Sequence, residues 1–356
     1  MDPGDAPLIA ARPAPPRPHR RWPWRDPAIR ARLWQLLALL AVAGVVGLLV
    51  HNTRANMAAR GIQSGWDFLS QTAGFDIGER PIAYESVDSY ARAFLVGLLN
   101  TVRVAVPGIV LATVLGALIG VGRTAPHALL RGLCRGYVEL FRNVPLLVQL
   151  LVWYLVLLEF LPAPDAALSW QGLLLSKAGL ALPFPVHAVA VEGVVDGTAG
   201  GGWHWSVPVV DGLGIDGGAV LSPEFVALLL GLVGYTAAYI AEVVRAGIAA
   251  VPRGQIEAAQ SIGLSRAQTL RWVTAPLALR VIVPPLTNQY LNLTKNSSLA
   301  VAIGYPDLVS VANTTLNQTG RAVECIALIM AVYLAISLLT AAGMALFNRR
   351  VALVER

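Results

Sequence analysis

Residues 253–276 read RGQIEAAQSIGLSRAQTLRWVTAP and join two long apolar runs of the chain. The Glu-Ala-Ala triplet that begins at Glu257 predicts the start of a short helix, with the carboxylate near the positive end of the helix dipole. Gly263 supplies a turn that residues with a side chain resist. Pro276 suits the first turn of a following helix. The stretch therefore predicts a short helix, a sharp turn and the entry into a longer apolar helix.

The composition around this stretch is that of a membrane protein. Of the 356 residues, 56% are hydrophobic and only 13% are charged, whereas soluble domains carry roughly 25% charged residues. About 20 apolar residues, rising about 1.5 Å each, cross a hydrocarbon core of roughly 30 Å. We therefore expect an all-α membrane protein with about six transmembrane helices, and an eight-span topology is the alternative. The predicted spans lie at about 33–50, 93–121, 143–161, 223–244, 273–294 and 322–347.

The distribution of arginine predicts which ends of the spans face the cytoplasm. Arginine accumulates in residues 1–32, after the second span, after the fourth span and at the C-terminus. The loops at 51–92 and 162–222 carry more acidic than basic residues. Because lysine and arginine are enriched on the cytoplasmic side of membranes, we expect both termini and residues 245–275 to lie inside.

These observations divide the chain into four predicted regions. They are a disordered cytoplasmic tail (1–32), a first transmembrane helix with an extracytoplasmic loop (33–92), a main transmembrane domain (93–348) and a cytoplasmic tail (349–356). The main domain contains an extracytoplasmic insertion at about 162–222 and the cytoplasmic loop at about 245–275. An interfacial or re-entrant segment within the insertion is an open alternative, because its apolar stretches are too short to span.

Several classes of function lack the residues that they need. The chain has no G-x-x-x-x-G-K-[ST] sequence that would cradle a nucleotide, no H-E-x-x-H pair and no nucleophile elbow. Its five histidines are scattered, and Cys134 and Cys325 are expected near opposite membrane faces. Neither a metal site nor a disulfide is therefore predicted. Outside the N-terminal tail, the sequence also has no basic patch with interleaved aromatic residues, which is typical of nucleic-acid binding.

The 253–276 stretch resembles the EAA loop of ABC importer permeases. That pattern is Glu-Ala-Ala, three residues, Gly, nine residues and Ile-x-Leu-Pro, and every spacing fits from Glu257 to Pro276. Ala275 departs from the pattern, because leucine is usual at that position. The resemblance implies a short helix that docks in a groove on an ATPase, where small alanines allow close approach. The implied coupling residues are Glu257, Ala258, Ala259, Gly263 and Leu264.

The resemblance extends from about residue 52 to the C-terminus. The runs that resemble polar amino acid permeases are Tyr137–Gln149, Ala237–Ile248 and Lys295–Leu299. Parts of the segment 52–77 are similar to the general L-amino acid permeases of Gram-negative bacteria. The Gly-rich segment at 193–218 matches no motif of that family.

This resemblance implies a fold, a function and partners. The fold is that of a type I ABC importer permease, and the function is inward movement of L-amino acids across the bacterial inner membrane. A separate ATPase dimer would bind ATP and Mg²⁺, so no cofactor is expected in this chain. A periplasmic amino acid-binding protein, membrane lipid and a second, homologous permease are the other implied partners. The subgroup favours a heterodimer, and a homodimer is the alternative.

The fifth predicted span carries polar side chains on one face. They recur at i, i+4, i+7 and i+8, at Asn288, Asn292, Lys295 and Asn296. Polar side chains that face lipid are unfavourable, so this face must meet protein or water. It either lines a solute path or forms hydrogen bonds between helices. Tyr235 and Tyr239, at i and i+4 in the fourth span, are further candidates for the path.

Two acid–arginine pairs stand at i and i+3, where side chains on a helix meet. Glu242 and Arg245 are expected to form an ion pair at the inner end of the fourth span, and Glu139 and Arg142 are expected to repeat it before the third. The alternative function is an amino acid transporter driven by an ion gradient, which needs acids within its spans. Glu242 and Glu324 are the candidates for that role, both near span ends. This alternative leaves the spacing of the EAA loop unexplained.

Overall fold

Helices account for most of residues 27–61, 64–187, 203–212 and 214–351, which the computed structural model describes. Contacts divide the chain into two units, Met1–Gln63 and Ser64–Arg356. The first contains α1 and the second contains all later elements. The helices are α1 (Pro27–Ala59), α2 (Tyr90–Gly122), α3 (Ala128–Asn143), α4 (Leu146–Phe160), α5 (Pro223–Ala249), α6 (Arg253–Ser261), α7 (Arg266–Thr269), α8 (Ala275–Asn296), α9 (Leu308–Thr319) and α10 (Ala322–Val351).

Four helices of the described ranges are long and apolar enough to cross a membrane, namely α1, α2, α5 and α10. They confirm the first, second, fourth and sixth predicted spans. The third predicted span corresponds to α4, which forms a candidate span only together with α3, across a bend of 105°. The fifth corresponds to α8, whose 22 residues include Arg280 and Lys295 and are less apolar than the other four helices. The total of six spans therefore stays a prediction.

The bend between α3 and α4 follows from the local sequence. Pro145 precedes the first residue of α4, and Val144 adopts an extended conformation, as the residue before a proline usually does. The carbonyl groups at the end of α3 then need other donors. The buried side-chain amide of Gln149 donates 2.8 Å hydrogen bonds to the carbonyl oxygens of Phe141 and Val144. A side chain of α4 therefore closes the C-terminal end of α3.

The first helix begins earlier than the sequence predicts. Residues 27–32 were expected to be part of a disordered tail, but α1 starts at Pro27. Proline is favoured in the first turn of a helix, because its missing N–H has no intrahelical acceptor there. The rest of the predicted tail, residues 1–26, lies outside the described residues, as do residues 352–356 at the other end.

The central element of the second unit is α5, which packs against α2, α3, α4 and α8. Small residues allow α2 and α5 to approach closely. A Cβ atom added to Gly116 would lie 2.7 Å from Cβ of Ile240, and one added to Gly120 would lie 2.7 Å from Cβ of Val244. Glycines four residues apart on one helix face are typical of close contacts between membrane helices. Larger residues at these positions would force the two helices apart.

Residues 64–89, here called the cap segment, form a folded layer beside the N-terminal end of α2. Phe68, Ile77 and Tyr84 are buried in a cluster with side chains of α2, α9 and α10. The side-chain amide of Asn100 donates to the carbonyl oxygens of Glu79 and Pro306, both at 2.9 Å. This amide joins the cap segment, α2 and the connection before α9.

The described part of the insertion at 162–222 forms β-hairpins, which the sequence did not predict, and the interfacial or re-entrant segment stays an open prediction. Its described strands are β1 (Leu168–Trp170), β2 (Leu173–Ser176), β3 (Gly179–Leu182), β4 (Phe184–His187), β5 (Trp203–Ser206), β6 (Val209–Asp211), β7 (Gly214–Asp216) and β8 (Ala219–Leu221). They form an antiparallel sheet in the order β1-β2-β3-β8 and two hairpins, β4-β5 and β6-β7. Gly179 has φ +110°, and a Cβ there would overlap the carbonyl oxygen of Leu221. Glycine is thus required where β3 meets β8.

Candidate coupling site

The polar stretch between α5 and α8 folds as the short helix α6 with two distinct faces. Ile256 is half-buried and Ala259 is buried, and α6 contacts α7 and the turn that precedes α8. The opposite face is exposed and includes Glu257, Ala258, Ser261 and, one residue past the end of α6, Ile262. These four residues, here called the exposed face of α6, fall at i, i+1, i+4 and i+5 of a helix. One face therefore holds α6 in place and the other is open to a partner.

Gly263 ends α6 with a left-handed turn, as the sequence predicts. Its φ is +89°, a conformation that glycine adopts without steric cost. Its N–H donates to the carbonyl oxygen of Gln260 at 2.9 Å, and the N–H of Leu264 donates to that of Ala259 at 3.2 Å. This pair of bonds is the Schellman motif, which satisfies carbonyl groups at a helix end. Leu264 thus acts through its backbone, with a half-buried side chain.

A capping box starts the next helical run. The side chain of Ser265 accepts from the N–H of Gln268 at 3.3 Å, and the side chain of Gln268 accepts from the N–H of Ser265 at 2.9 Å. The run passes from α7 through a π-helical turn, Leu270–Thr274, into α8. Pro276 lies in the first turn of α8 and has no N–H for the carbonyl group four residues earlier. We attribute the widened turn to this missing donor.

Two of the predicted coupling residues occupy other positions than expected. Glu257 was placed at the helix start, but α6 begins at Arg253, so the carboxylate lies in the second turn. The dipole effect is concentrated in the first turn, so it does not explain Glu257. Ala259 was expected to face a partner, but only 5% of its surface is exposed. Its small size lets α6 pack closely on its own chain.

Sequence reasoning missed Ile262, the most prominent side chain of the exposed face. It is 80% exposed and stands between Ser261 and Gly263. It is the one large apolar side chain among these four residues, so it is the side chain of this face that would gain most from burial against a partner. The signal was present in the sequence, since Ile262 is apolar at a position where the helix face is otherwise small or polar.

An ion-pair cluster lies at the other end of the connection, where α5 approaches α2. Arg245 contacts Glu242 at 3.1 Å through Nε, which is the predicted pair. Arg123, at the end of α2, also donates to Glu242, a contact that no local pattern predicts. One carboxylate therefore contacts two guanidinium groups, and it ties the end of α2 to α5.

The second predicted pair is absent. Glu139 accepts from Nε of Arg135 at 2.7 Å instead of pairing with Arg142. Glu139 can reach either arginine, because Arg135 at i−4 and Arg142 at i+3 lie on the same side of the helix. Arg142 instead places its guanidinium over the ring of Tyr239, 4.9 Å from the centroid. A cation above an aromatic face is attracted by the negative face of the ring.

The candidates for a solute path lie at two separate places. The ring hydroxyls of Tyr235 and Tyr239 are 3.2 Å apart, and Tyr239 lines a cavity with residues of α2 and α3. The polar stripe of α8 takes no part in that cavity. Its members are Asn288, Asn292 and Lys295, which are exposed, and Asn296, which is half-buried. In the described part of the chain, these four side chains have no hydrogen bond, so the stripe does not join helices of this chain.

A second cavity lies at the end of α5 opposite to α6. It has a volume of about 520 Å³ and is bounded by the cap segment, the start of α5 and the connection to α9. Glu79 and Glu224 line it. Arg103 contacts Glu79 at 3.0 Å, and Ser222 donates to the same carboxylate. Burial nevertheless raises the pKa of Glu79 above its ordinary value. This end of the molecule thus presents a polar opening.

The acids that a gradient-driven transporter would need are already engaged in structural contacts. Glu242 binds two arginines, as described above. Glu324 is 6% exposed and accepts a 2.7 Å hydrogen bond from the N–H of Gly65, which fixes the start of the cap segment. Among the described residues, no group of three or more histidine, cysteine, aspartate or glutamate side chains could hold a metal ion.

Comparison with known proteins agrees with this architecture. Residues 108–353 match the family model described as "binding-protein-dependent transport system inner membrane component". Among curated proteins, the putative amino-acid ABC transporter permease YhdX of Escherichia coli (strain K12) is 46% identical, over 93% of this chain and 96% of its own. The general L-amino acid transport system permease AapQ of Rhizobium johnstonii is 42% identical, over 93% and 94% of the two chains.

Solved structures share the fold. A chain of an amino acid ABC transporter crystallised with histidines superposes with a TM-score of 0.53 and 26% identity, over 73% of this chain and 95% of its own. A chain of the inward-facing methionine transporter MetNI superposes with a TM-score of 0.50 and 19% identity, over 74% and 98%. These likenesses confirm the expected all-α fold of a type I ABC importer permease. The chain belongs to the family of inner membrane components of binding-protein-dependent transport systems.

Proposed function

We propose that this chain moves L-amino acids into the cell and that α6 transmits the power stroke of a separate ATPase. Family membership makes it a transport component of the inner membrane, and it supports an importer rather than the gradient-driven alternative. The substrate class rests on the two relatives, which are named as amino-acid permeases and match this chain over almost their whole length. The observation that carries the coupling role is the exposed face of α6.

The exposed face has the chemistry of a docking surface. Ile262 offers an apolar anchor, while Ala258 and Ser261 are small and allow a partner groove to approach. Glu257 adds one charge at the edge, where it would set orientation more than affinity. The Schellman turn and the capping box hold both ends of the connection, so a push on α6 would be passed to α8 rather than absorbed by a loose loop.

The ATPase would supply what the sequence of this chain lacks. The chain has no phosphate-binding loop, so ATP and Mg²⁺ would be bound by the partner, which closes as a dimer and moves α6. In the orientation that arginine predicts, α6 and both termini face the cytoplasm. The cavity beside the cap segment then faces outward, where a periplasmic binding protein would deliver the solute.

A second permease would cover the surface that this chain leaves polar. The α8 stripe is exposed in this chain and is unfavourable against lipid. We propose that it lines the solute path between this chain and a homologous partner. A heterodimer is the favoured assembly, because this chain resembles the general L-amino acid permeases, a subgroup in which two related permeases pair.

Uptake by whole cells tests this function. Cells without their own general amino acid uptake would receive the complete gene set, with this chain as wild type, as Ile262→Asp or as Gln260→Asp. Gln260 is also exposed on α6 but lies outside the exposed face, so the second variant is a matched control for charge. We expect the wild type and Gln260→Asp to accumulate several labelled L-amino acids, and Ile262→Asp to lose most uptake while remaining in the membrane.

The possible outcomes separate the two parts of the proposal. If wild-type cells accumulate no L-amino acid, the substrate class is wrong. If they do, but Ile262→Asp transports as well as Gln260→Asp, α6 does not couple through this face. A loss in both variants would mean that any acid on α6 disturbs the chain, and the coupling claim would fail as stated.

A further inference from the structure

A cleft between α3, the end of α2 and α5 is lined by arginines that the transport function does not use. Its volume is about 330 Å³. Its walls are formed by the side chains of Arg123, Val138, Glu139, Arg142, Asn143 and Tyr239. The cleft lies beside the ion-pair cluster of Glu242, at the arginine-rich ends of the helices.

The charges around the cleft do not balance. Glu242 is shared by Arg123 and Arg245, which leaves one positive charge in excess. Glu139 is occupied by Arg135. Among the described residues, no carboxylate contacts Arg142, so a second positive charge is uncompensated. The cleft and its rim therefore carry a net charge of about +2, which attracts an anion.

Arg142 is held in a fixed orientation without using up its donors. Its guanidinium lies over the ring of Tyr239, 4.9 Å from the centroid. That ring is itself supported by the ring of Tyr235, with 4.9 Å between centroids. Stacking leaves the edge N–H groups of a guanidinium free, and their planar fork matches two oxygens of a phosphate group. The fork therefore favours an oxyanion, such as a phosphate or a carboxylate, over a single point charge.

The helix that carries Arg142 has the pattern of a helix that lies in a membrane interface. Leu129, Leu133 and Leu140 form one exposed apolar stripe, between 61% and 68% exposed. Arg131, Arg135, Glu139 and Arg142 follow another face at i, i+4, i+8 and i+11. A helix with exposed leucines on one side and arginines on the other buries its apolar side at the boundary of headgroups and acyl chains. The 105° bend to α4 suits a helix that crosses the end of the bundle.

We propose that this cleft binds the phosphate headgroup of an anionic glycerophospholipid of the cytoplasmic leaflet, with Arg142 as its main contact. The acyl chains would lie along the exposed leucines of α3. Basic pockets between membrane helices on the cytoplasmic side are suited to such headgroups. The lipid would brace α3 against the ends of α2 and α5, close to the connection that carries α6.

Native mass spectrometry of the intact transporter tests the site. The complex would be purified with this chain in full, incubated with equal amounts of phosphatidylglycerol and phosphatidylethanolamine, and the lipids retained per complex would be counted. We expect phosphatidylglycerol to be retained preferentially. Arg142→Gln should reduce that retention by about tenfold, the size of one charge-assisted bidentate contact. Arg266→Gln, which changes an exposed arginine of the connection away from the cleft, should leave it unchanged.

Glu139→Gln provides a second test that does not depend on removing an arginine. It deletes a carboxylate that lines the cleft, so retention of phosphatidylglycerol should rise by roughly two- to fivefold, the range expected for one surface charge interaction. A purely structural role for Arg142 predicts no such gain. The rise in phosphatidylglycerol retention therefore tests the lipid site even if the Arg142→Gln variant fails to assemble.

Four results would overturn the proposal. They are equal retention of the two lipids, no loss in Arg142→Gln, an equal loss in Arg266→Gln, and no gain in Glu139→Gln. Two competitors identify the source of the anion. Displacement of phosphatidylglycerol by inorganic phosphate at equal concentration would mean a site for free anions, and displacement by an L-amino acid would mean a solute site. Either displacement would refute the lipid while leaving the transport function intact.

Discussion

At the scale of single residues, backbone geometry explains more of the coupling connection than side-chain chemistry does. Gly263 and Pro276 act as the sequence predicts, because each has a conformational property that no neighbour can supply. Ala259 and Glu257 do not occupy the positions that the sequence predicts. The Glu-Ala-Ala triplet alone does not determine where α6 begins, and the helix start decides which side of α6 each residue occupies. The contacts of Arg142 also could not be predicted from local sequence. Arg142 contacts Tyr239 rather than Glu139, and that ring belongs to another helix.

Gly263 and Gly254 should respond to alanine in opposite ways. Gly263 has a positive φ, so Gly263→Ala should destabilise the end of α6 by roughly 1–2 kcal/mol. Gly254 lies inside α6, has no positive φ and has no neighbour within 4 Å of an added Cβ. Gly254→Ala should therefore stabilise α6 by up to about 1 kcal/mol. Hydrogen exchange of the α6 amides in the purified transporter would measure both effects, and equal signs would contradict this account of the turn.

Asp307 should make the stability of the chain depend on pH. It lies in the connection between α8 and α9, is fully buried, and accepts from the N–H of Ser310 at 2.8 Å as an N-cap. Burial raises its pKa to about 7 from the ordinary 3.8. The folded chain thus favours the protonated form. That stabilisation is complete below about pH 4 and is lost as pH rises through about 7, by about 4 kcal/mol for a shift of about three units.

Asp307→Asn isolates this effect, because asparagine caps a helix as well as aspartate and does not titrate. The thermal midpoint of the wild type in detergent should fall between pH 5 and pH 8. The midpoint of the variant should fall by less, with any remaining slope coming from other groups such as Glu79. Parallel curves for the two proteins would show that the carboxyl group of Asp307 is ionised at neutral pH.

At the scale of elements, apolar runs predict helices well and say little about what lies between them. Four spans follow from length and composition alone. The strands of the insertion have three or four residues each, too few for a periodic pattern to stand out, and they form only because hairpins pair them. The cap segment is held by Phe68 and Tyr84 against three helices, which no local pattern in its sequence indicates. Helix α9 is short and rich in threonine, so it lacks the signature of a span.

The contact between α2 and α5 predicts a strong dependence on small residues. Gly116→Ala would place a Cβ 2.7 Å from Ile240, so it should destabilise the chain by about 1–3 kcal/mol through overpacking. Gly132→Ala, on α3, is the matched control, because an added Cβ there has no neighbour within 4 Å. Thermal unfolding of the purified protein would compare them. The packing account would be wrong if both variants unfolded at the same temperature as the wild type.

At the scale of the whole molecule, the two ends of α5 have different tasks. One end joins the cap segment and the acid-lined cavity, and the other joins the Glu242 cluster, the arginine cleft and α6. The sequence predicts which end faces the cytoplasm from arginine alone. It does not predict the cavities, because each is formed by residues from separate elements that meet only in the folded chain. The function proposed for the whole molecule depends on α6 as the surface through which an ATPase drives this permease.

Photocrosslinking from α6 tests whether this surface contacts the ATPase. Benzoylphenylalanine would replace Ile262 in the assembled transporter and, in a matched control, Gln260, and the membranes would be illuminated and analysed for covalent adducts. The account predicts an adduct between position 262 and the ATPase subunit, and little or none from position 260. Adducts of equal yield from both positions, or none with the ATPase from position 262, would contradict it.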